Sequence, residues 1–179
     1  MKKIKDTIQK YIAGDWGKSD FSSETPQKIH CIRGADINSI NEHRYNSIPN
    51  RYVKTISSKN KRLYVGDIVI EKSGGSPTQS TGRTAYISQN SIKNDMPILC
   101  SNFCQGIRVN NAWNSKYVFY WLQHVYNKGM FFNFESKTSG IKNLMLDSAF
   151  ADIPIPHPDL SEQLRIAGIP QNMEVSDAA

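Results

Sequence analysis

Apolar residues recur at helical spacing in two parts of the chain. The first set predicts a short amphipathic helix over residues 2–13 that ends at Gly14. Its apolar positions are Ile4, Ile8, Tyr11 and Ile12. The second set predicts one strong interior helix from Ser115, a possible N-cap, to Asn127. Its apolar stripe, which we interpret as core rather than as a ligand site, is Val118, Trp121, Leu122 and Val125.

Between these helices the chain carries short runs rich in β-branched and aromatic residues, which predict strands. They are KIHCIR (28–33), RYVKTIS (51–57), VGDIVIEK (65–72), TAYIS (84–88), PILCS (97–101), GIRV (106–109) and FFNF (131–134). Gly, Asn, Ser and Pro separate the runs at modest intervals, and alternating prolines predict an extended edge segment within residues 151–163. The pattern predicts a mixed α/β (α+β) fold with an irregular, largely antiparallel sheet and few helices.

Length and composition suit one globular domain, or one domain with an appendage. The chain has 179 residues, of which 39% are hydrophobic, and this suffices for a core without disulfides. The sequence contains neither a run of about 20 apolar residues nor a secretory signal, so we expect no membrane association. Its three cysteines form no Cys-x-x-Cys pair, which favours a reducing compartment. We therefore expect a cytoplasmic protein.

The net charge of +6 is unevenly distributed. Residues 1–142 hold 21 basic and 10 acidic side chains, a surplus of +11, whereas residues 143–179 hold one basic and six acidic side chains, a net −5. A basic body with an acidic end is typical of a protein that turns one face toward a polyanion.

No catalytic or cofactor motif is recognisable. The segment 73–83 follows a β run, but six residues separate Gly75 from Gly82 where a phosphate-binding loop has four. The sequence contains no Gly-x-Gly-x-x-Gly, and its Cys and His residues lack zinc spacing. Glu71 and Lys72 are adjacent, so they point to opposite faces of a strand and do not form a nuclease site. We predict neither catalysis nor a cofactor or metal.

Three basic, polar segments instead predict DNA contacts, because hydroxyl, amide and cationic groups bind phosphates and base edges. The first segment supplies Lys72, Ser76, Thr78, Gln79, Ser80, Thr81 and Arg83. The second, residues 136–142 of a predicted loop over residues 136–144, supplies Lys137, Thr138, Ser139 and Lys142. The third, residues 44–62, supplies Arg44, Arg51 and Lys54. We expect Gln79 and Arg83 to read bases and the lysines to bind phosphates.

Several of these segments resemble the target recognition domain of type I restriction–modification specificity subunits. The similarity extends from about residue 16 to residue 167. Its segments are IRGADI (32–37), RYV (51–53), LYVGDIVIEKSGGSPTQSTGR (63–83) and GIKNLMLDSAFADIPIPHPDLSEQLRIA (140–167). The most specific parts are the GDI segment with its trailing Gly-Arg and the proline-rich ending followed by Glu-Gln.

The resemblance implies a non-catalytic domain over residues 1–158 that reads one half of a bipartite double-stranded DNA target. It also implies partners: a methyltransferase subunit, indirectly a restriction and translocase subunit, and a second specificity half. In this family a long spacer helix follows, and here residues 159–179 correspond to its start, with Leu160, Glu162 and Gln163 facing the partner. Gly168 and Pro170 interrupt that helix, so we expect either an isolated, truncated half or a tail of foreign sequence.

Three alternatives remain open at the level of sequence. The chain could be the recognition fragment of a fused restriction–modification enzyme, although it lacks the methyltransferase Pro-Pro motif and the S-adenosylmethionine Gly motif. It could be a small hydrolase that uses Cys31 or His30. It could also be a remnant that acts only through protein interaction.

Overall fold

The computed structural model describes residues 1–76, 78–91, 96–138 and 141–168, without the side chains of residues 137 and 138. The strands in these ranges are β1 (Lys2–Lys3), β2 (Ile8–Ala13), β3 (Gln27–Ile32), β4 (Asn50–Val53), β5 (Ile68–Glu71), β6 (Ser73–Gly74), β7 (Thr84–Tyr86), β8 (Ile98–Cys100), β9 (Cys104–Val109), β10 (Glu135–Thr138), β11 (Ile141–Leu144) and β12 (Pro154–Ile155). The α-helices are α1 (Ile37–Asn41), α2 (Thr55–Asn60), α3 (Ser115–Asn127), α4 (Leu146–Asp152) and α5 (Leu160–Ile166).

A four-stranded antiparallel sheet in the order β2-β9-β5-β7 forms the centre of the fold. The inner strand β5 is buried along its whole length and alternates its side chains between two cores. Ile68 and Ile70 pack into the core that contains α3 and α4, and Val69 packs into the core that contains α1. Burial on both faces explains the continuous apolar run of this strand.

Three smaller sheets surround the central one. Strand β3 pairs with β4 antiparallel and with β8 parallel, β1 pairs with β12, and β10, β11 and β6 form the sheet that carries the site described below. The predicted fold class, a mixed α/β fold with a largely antiparallel sheet, is confirmed. Among the helices described, none is long and apolar enough to cross a membrane.

The predicted N-terminal helix over residues 2–13 is wrong. This segment forms β1, a 3-10 turn over Ile4–Thr7 and then β2, which pairs with β9. The turn and a register shift between Ile8 and Lys10 place Ile4 and Ile12 in different cores, so their helical spacing has another origin. Sheet pairing here overrides local periodicity.

Other local predictions also need correction. The FFNF run is a 3-10 helix over Met130–Phe134 rather than a strand, and residues 136–144, expected to be a loop, contain the β10–β11 hairpin. The run at 51–57 is half strand and half helix, because β4 ends at Val53. The helix at Ser115–Asn127 is confirmed, but its N-cap is Asn114, whose Oδ1 accepts from the backbone N–H of Tyr117 at 2.9 Å.

We expect the apolar stripe of α3 to dominate the larger core. Leu122 is fully buried, so Leu122→Ala should lower the free energy of unfolding by about 2–5 kcal/mol through lost packing. His124→Ala on the exposed face of the same helix should cost less than about 1 kcal/mol. Urea denaturation measures both values, and similar losses in the two variants would contradict this description of the core.

Candidate nucleic-acid interface

Two of the three segments predicted to contact DNA meet in one small sheet. Strand β6, which opens the first segment, pairs with β11 of the hairpin that forms the second. Gly74 lies opposite Lys142 and Ser73 lies opposite Asn143, whose Oδ1 accepts from Ser73 Oγ at 2.7 Å. Segments 70 residues apart in sequence therefore present one continuous surface.

The segment that follows β6 forms a closed turn. The N–H of Ser76 donates to the carbonyl of Gln79 at 3.0 Å, and Ser76 Oγ accepts from the N–H of Gln79 at 3.0 Å. Gly75 has φ +72°, and an added Cβ would lie 2.7 Å from the carbonyl oxygen of Gln79, so the turn requires glycine there. The exposed Thr78 and the half-buried Gln79 form its tip.

Glu135, at the start of β10, anchors the other side of this turn. Its carboxylate is 2% exposed, and Oε1 accepts from Ser80 Oγ at 2.8 Å, from the Thr81 N–H at 2.7 Å and from Thr81 Oγ1 at 3.0 Å. Burial alone raises the pKa of Glu135, but the hydrogen bonds from Thr81 and Ser80 and the charge of Lys142 outweigh it and hold the pKa below its ordinary value. Ser80 and Thr81, predicted to contact DNA, are thus engaged inside the protein.

Lys142 is engaged in the same way. Its Nζ donates to the carbonyl of Gln79 at 3.1 Å, lies 3.5 Å from Glu135 Oε2 and lies 4.9 Å from the ring centroid of Phe132. The Lys142 side chain is only 7% exposed, so it stabilises the turn from inside the protein.

Arg83, predicted to read bases, forms a bidentate pair with Glu71. Arg83 Nε and Nη2 donate to the two carboxylate oxygens at 2.9 and 2.7 Å, and this hydrogen bonding raises the pKa of Arg83. An added Cβ at Gly34 or Gly74 would lie 2.7 or 2.8 Å from Glu71 Oε1, so both glycines give the pair its space. The adjacent Lys72 borders a different cavity, beside Tyr11 and Met145.

The third basic segment lies on another sheet, at strand β4 and around it. Arg51 stacks 4.1 Å over the ring of Trp16 and donates to the carbonyls of Trp16 and Gly17, so it fastens the loop before β3. Arg44 is exposed and forms an ion pair with Glu42. Lys54 is exposed, just before α2.

The start of the predicted spacer helix is docked on the body. Asp159 Oδ1 caps α5 by accepting from the Glu162 N–H at 2.9 Å. Gln163, predicted to face a partner, is 1% exposed and its Oε1 accepts from the Asn114 N–H at 2.9 Å. Glu162 pairs with Arg165, whereas Leu160 is 47% exposed.

Part of the predicted site lies beyond what the structure describes. Ser139 lies outside the described residues, and for Lys137 and Thr138 only the backbone of β10 is described. Within the described ranges no group of three or more His, Cys, Asp or Glu side chains could hold a metal. Cys31 is fully buried and burial raises its pKa to about 12, which disfavours a nucleophilic role.

A polar groove lies beside the turn and was not predicted from the sequence. A cleft of about 250 Å³ lies between α1, α3 and the turn, and its lining includes Asn38, Gln79, Arg83, Gln123 and Asn127. A second cleft of about 270 Å³ shares Asn41 and Gln123 with it. The available signal was a second stripe on α3, opposite the apolar one, at spacings of four, three and four residues: Lys116, Tyr120, Gln123 and Asn127.

Comparison with known proteins identifies relatives of this fold. Residues 1–174 match the family described as type I restriction modification DNA specificity domain. A search of curated protein sequences gives no match.

Solved structures agree with the family match. A chain from a structure of complex assembly and conformational transition in the type I R-M system is similar at a TM-score of 0.56 and 17% identity, over 93% of this chain and 36% of that chain. The HsdS subunit from Thermoanaerobacter tengcongensis is similar at a TM-score of 0.52 and 15% identity, over 93% of this chain and 35% of that chain. The type I S subunit from M. genitalium is similar at a TM-score of 0.51 and 13% identity, over 93% of this chain and 36% of that chain. The chain thus shares their fold and spans about a third of their length.

The lowered pKa of Glu135 predicts a pH-dependent contribution to stability. A carboxyl whose pKa is depressed by folding stabilises the protein above its unfolded pKa, and loses that contribution as the pH falls through the folded pKa. Glu135→Gln should cost roughly 1–3 kcal/mol at pH 7. The gap to the wild type should narrow once the pH falls below the ordinary glutamate pKa of about 4.3. Urea denaturation across this range measures the gap.

The matched control for this experiment is Glu24→Gln, which neutralises an exposed glutamate. It should change stability by less than about 0.5 kcal/mol. A gap between wild type and Glu135→Gln that stays constant as the pH falls would show that the charge of Glu135 does not hold the turn.

Proposed function

Because the chain belongs to the family of type I restriction modification DNA specificity domains, we propose that it is a non-catalytic module that recognises one half of a bipartite double-stranded DNA target. The observation that carries this proposal is the prearranged turn beside the β10–β11 hairpin. Glu135 and Lys142 fix its base, and Thr78 and Gln79 form its tip. A prearranged contact loses little conformational entropy on binding.

Charge supports the same function. The surplus of +11 in residues 1–142 provides long-range attraction to DNA, and Lys54 and Lys72 are candidates for phosphate contacts. In the proposal the further candidates for DNA contact are Arg44, Arg51, Lys137, Thr138 and Ser139. Ser76, Ser80, Thr81 and Lys142 contribute by holding the turn and its backbone.

Arg83 needs a different role from the one its sequence position suggests. Two of its nitrogens bind Glu71, which leaves Nη1 for a base contact. In the proposal Arg83 mainly fixes the turn, and the Gln79 carboxamide, which can bind adenine bidentately, carries base discrimination.

The family match supports an assignment of partners. In the proposal the module serves as the specificity component of a type I system in the cytoplasm, with a methyltransferase subunit, a second specificity half and, indirectly, a restriction and translocase subunit. Residues 1–158 form the DNA-recognition part, and residues 159–179 begin the element that faces protein. The exposed Leu160 and Ile166 on α5 are the apolar side chains available to such a partner.

DNA binding tests this proposal directly. We expect the full chain to select a sequence from a pool of randomised duplexes, with an affinity that falls steeply as salt increases. Lys54→Ala should weaken binding to all duplexes and reduce the salt slope by about 1. Gln79→Ala should leave the slope unchanged and reduce discrimination at one base pair by about 1–3 kcal/mol.

Lys5→Ala, at an exposed lysine outside the three segments, is the matched control and should leave both quantities unchanged. The selection is run with and without the methyltransferase subunit, because an isolated half shares its affinity with partners. Absence of any sequence preference in both settings would reject the proposed function.

A further inference from the structure

We propose that the groove between α1 and α3 is a second base-reading site, and that its carboxamides recognise the edge of adenine. This inference rests on the proposed function, since it adds specificity residues to the same DNA-binding face. It assigns the role to Asn38, Gln123 and Asn127, which belong to none of the three basic segments.

The groove adjoins the turn that is proposed to face DNA. Gln79 and Arg83 line the same cleft as Gln123 and Asn127, and the Tyr126 hydroxyl lies 3.5 Å from the carbonyl oxygen of Ser80. A duplex that contacts the tip of the turn therefore comes close to the polar face of α3.

The chemistry of the lining favours a base over a phosphate. In the part of the chain that is described, the side chains of Asn38, Gln79, Gln123 and Asn127 form no hydrogen bond or ion pair with other residues. Each presents a neutral donor and acceptor side by side, the pattern that matches N6 and N7 of adenine. The guanidinium in the same cleft is neutralised by Glu71, so the cleft offers little attraction for phosphate.

The amides of Gln123 and Asn127 take no part in the packing of the core. Val118, Leu122 and Val125 bury the opposite face of α3, so Gln123 and Asn127 are presented by a fixed helix. On the other wall Asn41 Nδ2 donates to the Thr84 carbonyl at 2.8 Å and holds α1 against β7. Helices α1 and α3 are therefore fixed while the amides that line the groove are free, which suits recognition of the edge of a base.

Specificity and salt dependence of the variants test the groove. The probe is the duplex that the wild-type chain selects from a randomised pool. Gln123→Ala and Asn127→Ala should each reduce its affinity roughly 5- to 150-fold relative to scrambled duplex, with an unchanged salt slope. Gln9→Ala is the matched control, because Gln9 is exposed on β2, at the opposite edge of the central sheet from β7.

Atomic replacement in the DNA sharpens the test. Substitution of 7-deazaadenine, which lacks the N7 acceptor, for individual adenines of the selected duplex should weaken wild-type binding at one position at least. The variant that lacks the corresponding amide should bind the duplex with 7-deazaadenine at that position as tightly as it binds the unmodified duplex. Thermal unfolding should give the same midpoint for Gln123→Ala, Asn127→Ala and Gln9→Ala to within a few degrees, which excludes misfolding as the cause.

The outcomes separate the two proposals. Retained wild-type base preference in both amide variants overturns the groove as a reading site and leaves the proposed function intact. Uniform weakening with a smaller salt slope also overturns it, because the groove would then contact phosphate. Failure of the wild type to select any sequence rejects the proposed function, and the groove proposal with it.

Discussion

The site depends on strand β5, which is buried throughout and has a carboxylate at each end. Asp67 precedes the strand and Glu71 ends it, at 2% and 3% exposure. Arg108 and Arg83 each bind one of these carboxylates through two nitrogens at 2.7–2.9 Å. Both carboxylates are buried, whereas Arg83 and Arg108 are 17% and 30% exposed, so loss of either arginine would leave a buried carboxylate without its partner. The strand and both arginines are therefore fixed together.

The Glu71–Arg83 pair connects the buried strand β5 to the surface segment between β5 and β7. The Glu71 N–H also donates to the Arg83 carbonyl at 2.9 Å, so the backbone that leaves β5 and the backbone that returns to β7 meet at one residue. The segment between them can therefore differ in its exposed tip while its ends stay in place. Glu135 adds a third attachment through Ser80 and Thr81. Three attachments explain how a loop rich in Gly and Ser keeps a defined shape.

The sequence predicted the fold class and the helix at 115–127 because both depend on strong local patterns. It failed for residues 2–13, where pairing with β9 and β12 decides the conformation, and such pairing leaves no local trace. The predicted DNA contacts rest on residue type and resemblance, and they stay predictions. Ser80, Thr81 and Arg83 are polar and lie in a loop, but their acidic partners Glu71 and Glu135 are known only after folding. The groove could not be predicted, because the helices that line it, α1 and α3, lie about 80 residues apart in sequence.

The structure separates the groups that maintain the site from those that remain free. Two charged side chains of the first two segments, Arg83 and Lys142, are paired with Glu71 and Glu135 inside the protein. The free groups beside them are neutral amides on the turn and on α3. Exposed substitutions away from packing and buried hydrogen bonds change stability by about 0.5 kcal/mol or less, whereas a changed amide alters the pattern of donors and acceptors at the surface. The side chains that stabilise the turn are therefore different from the free amides beside it, so changes in those amides should leave the stability of the fold nearly constant.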